Sequence, residues 1–238
     1  RFHIVKPKQL AMSEEENLSA YPAISPSGNQ EYEVTDFFAS RERELNQLLN
    51  ALQSTSFLSI VGDFGTGKTS FVREEVIPAL KKGHNVRGTR SWKIVDFRPG
   101  DRPLEALSNA LSVLDVDEEE LYGEVDPNLS MKFQETLMSR KYGIIEIIEK
   151  YGLIEDENLL LFVDSLDDLI YHGEDDQTEA ALFSERLVEV ARQNAYPVYI
   201  IVTLRIEVIS KLASFPRLAE WVNRHQFILG EISDQDLM

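Results

Sequence analysis

The chain has 238 residues, 43% of them hydrophobic, which is enough for one large α/β domain with or without an appendage. It contains no cysteine, which excludes disulfides, thiolate metal sites and a cysteine nucleophile. The net charge of −17 disfavours nucleic-acid binding, because a duplex-binding surface needs clustered lysine and arginine. We expect a cytoplasmic, soluble protein, since the sequence has neither a signal peptide nor an apolar run long enough to span a membrane.

The first 35 residues lack sustained periodicity and contain acidic and Pro/Ser/Gly stretches. We interpret residues 1–35 as a linker or partly ordered arm, and residues 36–238 as the folded core. The core begins with a predicted amphipathic helix over residues 42–52, whose leucines fall on one face.

A glycine-rich stretch follows a short apolar strand predicted over residues 57–61 and fits the pattern G-x-x-x-x-G-K-[ST] of a phosphate-binding loop. A helix is predicted after it, ending at Pro78 or soon after. Nucleotide binding is therefore predicted through this loop and the helix start: Gly62, Asp63, Phe64, Gly65, Thr66, Gly67, Lys68, Thr69 and Ser70.

Each residue type in this loop has a chemical reason. The glycines let the backbone approach a phosphate without a Cβ, and the N–H groups with the helix N-terminus form an anion site. Lys68 brings a charge to the β- and γ-phosphates of ATP or ADP. The hydroxyl of Thr69 is a candidate ligand for Mg²⁺.

Further strands and helices alternate along the chain, which favours a parallel α/β sheet. The segments 115–126 and 131–154 are interpreted as an acidic surface loop and a helical region that contains Gly143 and Gly152. Strands are predicted over residues 92–97, 159–163, 197–202 and 226–229, and helices over 103–114, 179–193, 205–212 and 217–222.

Acidic residues follow the most apolar strand, where Asp164 is succeeded by Asp167 and Asp168. In an NTPase, an aspartate at the end of such a strand holds Mg²⁺ directly or through water. Asp167 and Asp168 lie one turn further on and are candidates to orient or deprotonate an attacking water. An acidic helix N-terminus without a catalytic role is the alternative interpretation.

Arg205 ends the next apolar strand. In open α/β sheets, side chains at the carboxyl ends of strands point into the crevice where ligands bind. Arg205 is therefore a candidate to contact a γ-phosphate and to report its presence. A surface ion pair with one of the many acids is the alternative.

Several motifs in order resemble the STAND class of P-loop NTPases, in particular the bacterial novel STAND NTPases, over about residues 37–237. Residues 37–45 resemble the family's Phe-x-Gly-Arg-Glu motif, with Ser40 in place of the glycine. The P-loop helix with its Pro-Ala-Leu, the Arg98-Pro99-Gly100 stretch and Thr203-Leu204-Arg205 are similar to further family motifs.

The resemblance implies a three-layer P-loop sandwich with a parallel five-stranded sheet in the order 5-1-4-3-2. It implies that the motif carrying Arg41 packs near the adenine, and that Lys68, Thr69, Asp164 and Arg205 share one crevice. Asp168 stands where the family usually has glutamate, which predicts slow ATP hydrolysis.

The resemblance also implies a signalling switch that exchanges ADP for ATP, self-oligomerises and activates an effector, in many bacterial members for phage defence. Sensor and effector domains are expected outside this segment, and no membrane partner is expected. Two alternatives remain, namely a AAA+ type ATPase acting on DNA and a catalytically degenerate P-loop scaffold.

Overall fold

The structure is a computed structural model and describes residues 41–83, 86, 91–115, 127–151, 157–171, 177–193 and 196–231. The predicted arm over residues 1–35, residues 37–40 of the N-terminal motif, and 116–126 of the acidic stretch lie outside the described residues. Within the part that is described, no helix is long and apolar enough to cross a membrane.

Five parallel strands form one sheet in the order β2-β3-β4-β1-β5. Read from its other edge this is 5-1-4-3-2, so the predicted α/β class and strand order are confirmed. The strands are β1 (Phe57–Gly62), β2 (Ser91–Phe97), β3 (Glu157–Val163), β4 (Val198–Arg205) and β5 (Gln226–Ile228).

The three central strands are apolar because helices cover both faces of the sheet. Every residue of β1 is buried, as are all but one terminal residue of β3 and of β4. The register places Gly62 beside Arg205, Val163 beside Val202, and Phe97 beside Val163. The loops that leave β1, β2, β3 and β4 therefore start from one edge of the sheet.

Two apolar clusters hold the layers together, one on each face. The α-helices of the described residues are α1 (Glu42–Leu52), α2 (Lys68–Ser70), α3 (Ile77–Lys81), α4 (Pro103–Leu111), α5 (Pro127–Ser139), α6 (Gly143–Tyr151), α7 (Asp168–Tyr171), α8 (Gln177–Arg192) and α9 (Pro216–Arg224). One face of the sheet packs against α1 and the helix after the P-loop, and the other face packs against α4, α5, α6, α8 and α9.

The helix after the P-loop continues past Pro78. A π-helical segment, Phe71–Val76, joins α2 to α3, and Pro78 lies in the first turn of α3. A proline within a continuous helix has no N–H to donate to the preceding turn, so one backbone hydrogen bond is absent there. The helix ends at Lys81, which agrees with the predicted end at Pro78 or soon after, and Gly83, at φ 91°, follows it.

Two other segments differ from the sequence-based expectation. The helical region predicted over 131–154 is split into α5 and α6, and α6 begins at Gly143, where a Cβ would lie 2.8 Å from the carbonyl oxygen of Thr136 in α5. The segment after Arg205 is a 3-10 helix, Ile206–Ser214, rather than an α-helix.

Candidate functional site

The P-loop connects β1 to α2 with two residues in the left-handed region, Gly65 at φ 82° and Gly67 at φ 75°. Both φ values favour glycine, because other residues rarely adopt them. Gly62 is required for a different reason, since a Cβ there would lie 2.4 Å from the carbonyl oxygen of Leu229. The loop backbone is therefore fixed by glycine at both of its ends.

Lys68 lies inside this loop. Its Nζ donates hydrogen bonds to the carbonyl oxygens of Gly62, at 2.9 Å, and Asp63, at 2.7 Å, and lies 3.4 Å from Thr66 Oγ1. Burial lowers the pKa of Lys68 below its ordinary value, and the nearby carboxylate of Asp167 opposes that shift. An anion in the loop would be a stronger acceptor for this amine than the two carbonyl oxygens that it now contacts.

Asp164 follows β3 and accepts two hydroxyl hydrogen bonds on one oxygen. Thr69 Oγ1 and Thr203 Oγ1 each donate to Asp164 Oδ1 at 2.7 Å, and Nη2 of Arg73 lies 3.5 Å from Oδ2. Hydroxyl and carboxylate oxygens are hard ligands of the kind that Mg²⁺ takes. The donor set of Thr69 and Asp164 therefore fits the predicted cation.

Asp167 holds Arg205. The carboxylate accepts from Nε of Arg205 at 3.0 Å and from its backbone N–H at 2.9 Å. The guanidinium also lies 5.0 Å from the ring centroid of Tyr171, a cation–π contact. Arg205 is thus held by a carboxylate and by an aromatic ring.

Asp168 holds a second arginine in the same way. Arg98, which follows β2, donates from Nε and Nη2 to the two carboxylate oxygens of Asp168, at 2.7 and 2.9 Å. The backbone N–H of Gly100 donates to the same carboxylate at 3.1 Å. Asp167 and Asp168 are both buried, so each is matched by one arginine.

The turn that places these acids contains a strained residue. Ser165 adopts φ 59°, which is uncommon for a residue other than glycine. Its N–H donates to Thr203 Oγ1 at 2.8 Å, and the next N–H, of Leu166, donates to the carbonyl oxygen of Thr203 at the same distance. These bonds from β4 hold the turn in place.

A cavity of about 440 Å³ opens at the carboxyl ends of the strands and is called the phosphate-side cavity here. It brings together most of the predicted loop residues, both acids after Asp164, and Arg205. Its lining comprises Phe64, Gly65, Gly67, Lys68, Thr69, Ser70, Arg98, Ser165, Asp167, Asp168, Thr203, Leu204 and Arg205.

A second cavity of about 540 Å³, called the base-side cavity here, lies across the P-loop. The two cavities share Phe64, Gly65, Gly67 and Ser70, whereas Gly62 and Asp63 line neither. The exposed side chain of Phe64 lies between them. The other lining residues of the base-side cavity are Arg41, Thr66, Phe71, Glu74, Glu75 and Glu231.

Arg41 connects the start of α1 to the P-loop. Its Nη2 donates to the carbonyl oxygen of Thr66 at 2.7 Å, and its guanidinium lies 5.8 Å from the ring centroid of Phe71. The side chain is buried, and Nη1 has no hydrogen-bond partner in the described residues. Burial also raises the pKa of Glu75, another lining residue of this cavity.

Three residues of this site were given no role from sequence. Arg73 lies in the helical stretch after the P-loop, followed by two glutamates, and Arg98 lies in the loop after β2, so no local pattern assigns either arginine a role. Thr203 carried a usable signal, because it is a polar residue within an otherwise apolar strand. The buried hydroxyl of Thr203 links Asp164 to the turn at Ser165.

Comparison with solved structures finds distant likenesses, all at 15% identity or less for the three described here. The Aeropyrum pernix ORC2 protein, in ADPNP-ADP complexes, is 15% identical, with 86% of this chain and 49% of that chain covered and a TM-score of 0.47. The Walker-type ATPase of Pyrococcus abyssi is 14% identical, with 82% and 55% covered and a TM-score of 0.49. The E. coli MS115-1 HORMA:CdnC:Trip13 complex is 13% identical, with 86% and 59% covered and a TM-score of 0.44.

The chain spans about half the length of the first two structures, at 49% and 55% of their chains. No curated protein matches the sequence significantly. Because all three TM-scores lie below 0.5, the fold assignment rests on the sheet order and the P-loop. The model of the family Novel STAND NTPase 1 matches residues 29–238. The chain therefore belongs to the novel STAND NTPase 1 family of P-loop NTPases.

Proposed function

We propose that this chain is an ATP- and ADP-binding switch module that holds its nucleotide with Mg²⁺ and hydrolyses ATP slowly. The observation that carries the proposal is the meeting of Lys68, Thr69, Asp164 and Arg205 at one edge of the sheet. Asp164 follows β3, Arg205 ends β4, and Lys68 and Thr69 begin the helix after the P-loop, so two neighbouring strands and one helix supply these residues.

Each binding role follows from a contact described above. Lys68 leaves the loop carbonyls for the β- and γ-phosphates, which the loop N–H groups also bind. Thr69 and Asp164 supply oxygen ligands to Mg²⁺, whose charge neutralises the phosphates. The base-side cavity receives the nucleoside, and Arg41 binds there or supports the loop through the carbonyl oxygen of Thr66.

The hydrolytic roles belong to the two acids after Asp164. Asp167 or Asp168 orients the attacking water, since each carboxylate has acceptor sites beyond those used by its arginine. Arg205 contacts the γ-phosphate and reports its presence. Hydrolysis is slow because both acids are already paired with arginines and because aspartate is one methylene shorter than the usual glutamate.

The finer proposal is that nucleotide state controls self-association and an effector, as the family resemblance implies, including a role in bacterial defence. Sedimentation velocity of the protein with Mg·ADP and with a non-hydrolysable Mg·ATP analogue tests this proposal. We expect larger species with the triphosphate. Identical species in both states would contradict it.

The binding proposal is tested with Lys68→Ala. We expect wild-type protein to release nucleotide when denatured and, once freed of nucleotide, to bind Mg·ADP in calorimetry. Lys68→Ala is expected to do neither, while its thermal transition matches that of nucleotide-free wild type. Lys81→Ala is the matched control, because Lys81 is exposed, ends the same helix and lines neither cavity. Undiminished binding by Lys68→Ala would reject the proposal.

A further inference from the structure

Arg98 brings a guanidinium from the loop after β2 to the phosphate-side cavity. The strand order separates β2 from β1 by two strands, so this loop starts far from the P-loop. Its contact with Asp168 nevertheless holds Arg98 among the residues that surround the expected phosphate position. Its charge also interacts with Asp164 and Asp167.

The pairing with Asp168 leaves most of the guanidinium uncommitted. An arginine has five N–H donors, and Asp168 takes one from Nε and one from Nη2 of Arg98. The other donors have no protein partner in the described part of the chain. The Arg98 side chain is 63% exposed, whereas that of Asp168 is 5% exposed. The carboxylate of Asp168 therefore fixes the edge of the guanidinium formed by Nε and Nη2, and the remaining N–H donors are open to a ligand.

Arg205 is held by the neighbouring acid, Asp167. Its Nε and backbone N–H donate to Asp167, and the two terminal nitrogens of its guanidinium have no hydrogen bond to the described residues. Two adjacent buried aspartates thus each hold one arginine at the same cavity. A planar guanidinium with free N–H donors can bind the equatorial oxygens of a phosphoryl group.

We propose that Arg98 is a second γ-phosphate ligand that acts beside Arg205, and that Asp168 is the residue that positions it. This inference rests on the proposed nucleotide-binding function. Arg98 then recognises the triphosphate, whereas in a bound diphosphate it contacts no phosphoryl group and keeps only its bond to Asp168. The module's preference between ATP and ADP is consequently set by two arginines from different strands.

The test compares affinities for Mg·ADP and for a non-hydrolysable Mg·ATP analogue by calorimetry in wild type, Arg98→Ala and Arg98→Lys. Loss of one charge-assisted interaction predicts that Arg98→Ala weakens analogue binding about tenfold or more, with ADP affinity within about twofold of wild type. Arg98→Lys keeps the positive charge but lacks the planar guanidinium, so we expect its affinity for the Mg·ATP analogue to lie between those of wild type and Arg98→Ala. Arg102→Ala is the matched control, since Arg102 lies in the same loop, pairs with Glu105 and does not line the cavity.

Removing Arg98 leaves Asp168 buried and unpaired, so the double variant Arg98→Ala/Asp168→Asn removes both charges and separates folding from binding. We expect it to lose the same preference for the triphosphate. Equal weakening for both nucleotides, or no change in the analogue affinity, would mean a purely structural ion pair and overturn the inference. A wild-type chain that binds neither nucleotide would instead reject the proposed function itself, and this inference with it.

Discussion

The hydroxyl of Thr69 donates a 2.7 Å hydrogen bond to Oδ1 of Asp164, although the two residues are 95 positions apart. The same oxygen accepts from Thr203, so three elements converge on one carboxylate. These two hydroxyls hold the carboxylate in one orientation before any cation binds. The proposed cation site is thus largely pre-organised by the fold.

We predict that Thr69→Ala and Asp164→Asn each raise the Mg²⁺ concentration needed for half-maximal ATP binding by about tenfold, because each removes one oxygen ligand or its charge. Titration of Mg²⁺ at fixed ATP measures this. Thr136→Ala is the control, since among the described residues that hydroxyl bonds only the carbonyl oxygen of Lys132 in its own helix. An unchanged Mg²⁺ requirement in both site variants would place the cation elsewhere.

Gly62 and Gly65 are predicted to respond differently to alanine. A Cβ at Gly62 would lie 2.4 Å from a backbone carbonyl oxygen of Leu229, so the strand end and that segment must move apart. Gly62→Ala is expected to lower the free energy of unfolding by about 2–4 kcal/mol. Gly65 has open space around it but a φ of 82°, so Gly65→Ala is expected to lower it by about 1–2 kcal/mol.

Thermal denaturation checks this order, with Gly230→Ala as the control. Gly230 has nothing within 4 Å of an added Cβ, so its substitution is expected to stay within about 0.5 kcal/mol of wild type. For a chain of this size, the Gly62→Ala effect corresponds to a fall in Tm of roughly 5–15 °C. If Gly65→Ala proved less stable than Gly62→Ala, the close contact between position 62 and the carbonyl oxygen of Leu229 would not be limiting, and this prediction would be wrong.

The lowered pKa of Lys68 makes nucleotide binding dependent on pH in the alkaline range. Burial favours the neutral amine in the empty site, whereas a bound phosphate favours the charged form. Affinity is therefore highest below the lowered pKa and falls as the pH rises through it toward 10.5, the ordinary value, because binding then requires uptake of a proton.

Calorimetry of Mg·ADP binding from about pH 7 to about pH 10, in buffers of different ionisation heats, measures this proton uptake. Lys68→Arg is the matched variant, because the guanidinium does not titrate in that range. We expect the affinity of Lys68→Arg for Mg·ADP to stay constant as the pH rises through this range, even if it differs from that of wild type at every pH. A decline of the same size in both proteins would assign the effect to another group.

Arg41 is predicted to support both nucleotides equally. Its contacts reach the carbonyl oxygen of Thr66 and the ring of Phe71, on the side of the P-loop away from Arg98 and Arg205. Arg41→Ala should weaken Mg·ADP and the Mg·ATP analogue by the same factor, about tenfold, since it removes a charge-assisted bond that shapes the loop. Selective loss of the triphosphate would contradict this assignment, and Arg43→Ala on the exposed face of α1 is the control.

The parts of the fold that could be predicted depend on local sequence. The buried strands are continuous apolar runs, and the P-loop has a fixed spacing of glycines and Lys68, so both were identified without tertiary information. The order of the strands is not encoded in any one segment, and it was predicted from the family resemblance, which the structure confirms.

The pairing of Asp168 with Arg98 could not be predicted because it joins residues 70 positions apart. Its geometry depends on β2 lying next to β3, and an exposed arginine in a loop looks the same in sequence whether or not it reaches a cavity. The π-helical segment was missed for a related reason, since a wide turn is energetically close to an α-helix and its residues have no distinctive pattern.

The left-handed conformation of Ser165 lowers the stability of the turn but restricts the positions of Asp164 and Asp167 on either side of it. A serine at φ 59° is less favourable than a glycine there, yet its Cβ restricts the backbone of the turn more than a glycine would, while the backbone N–H of either residue can donate to Thr203. A substitution of Ser165 by glycine would thus make the turn more favourable but would leave the carboxylates of Asp164 and Asp167 less precisely positioned. Selection for a more heat-resistant form of this protein is expected to find its gains away from this turn.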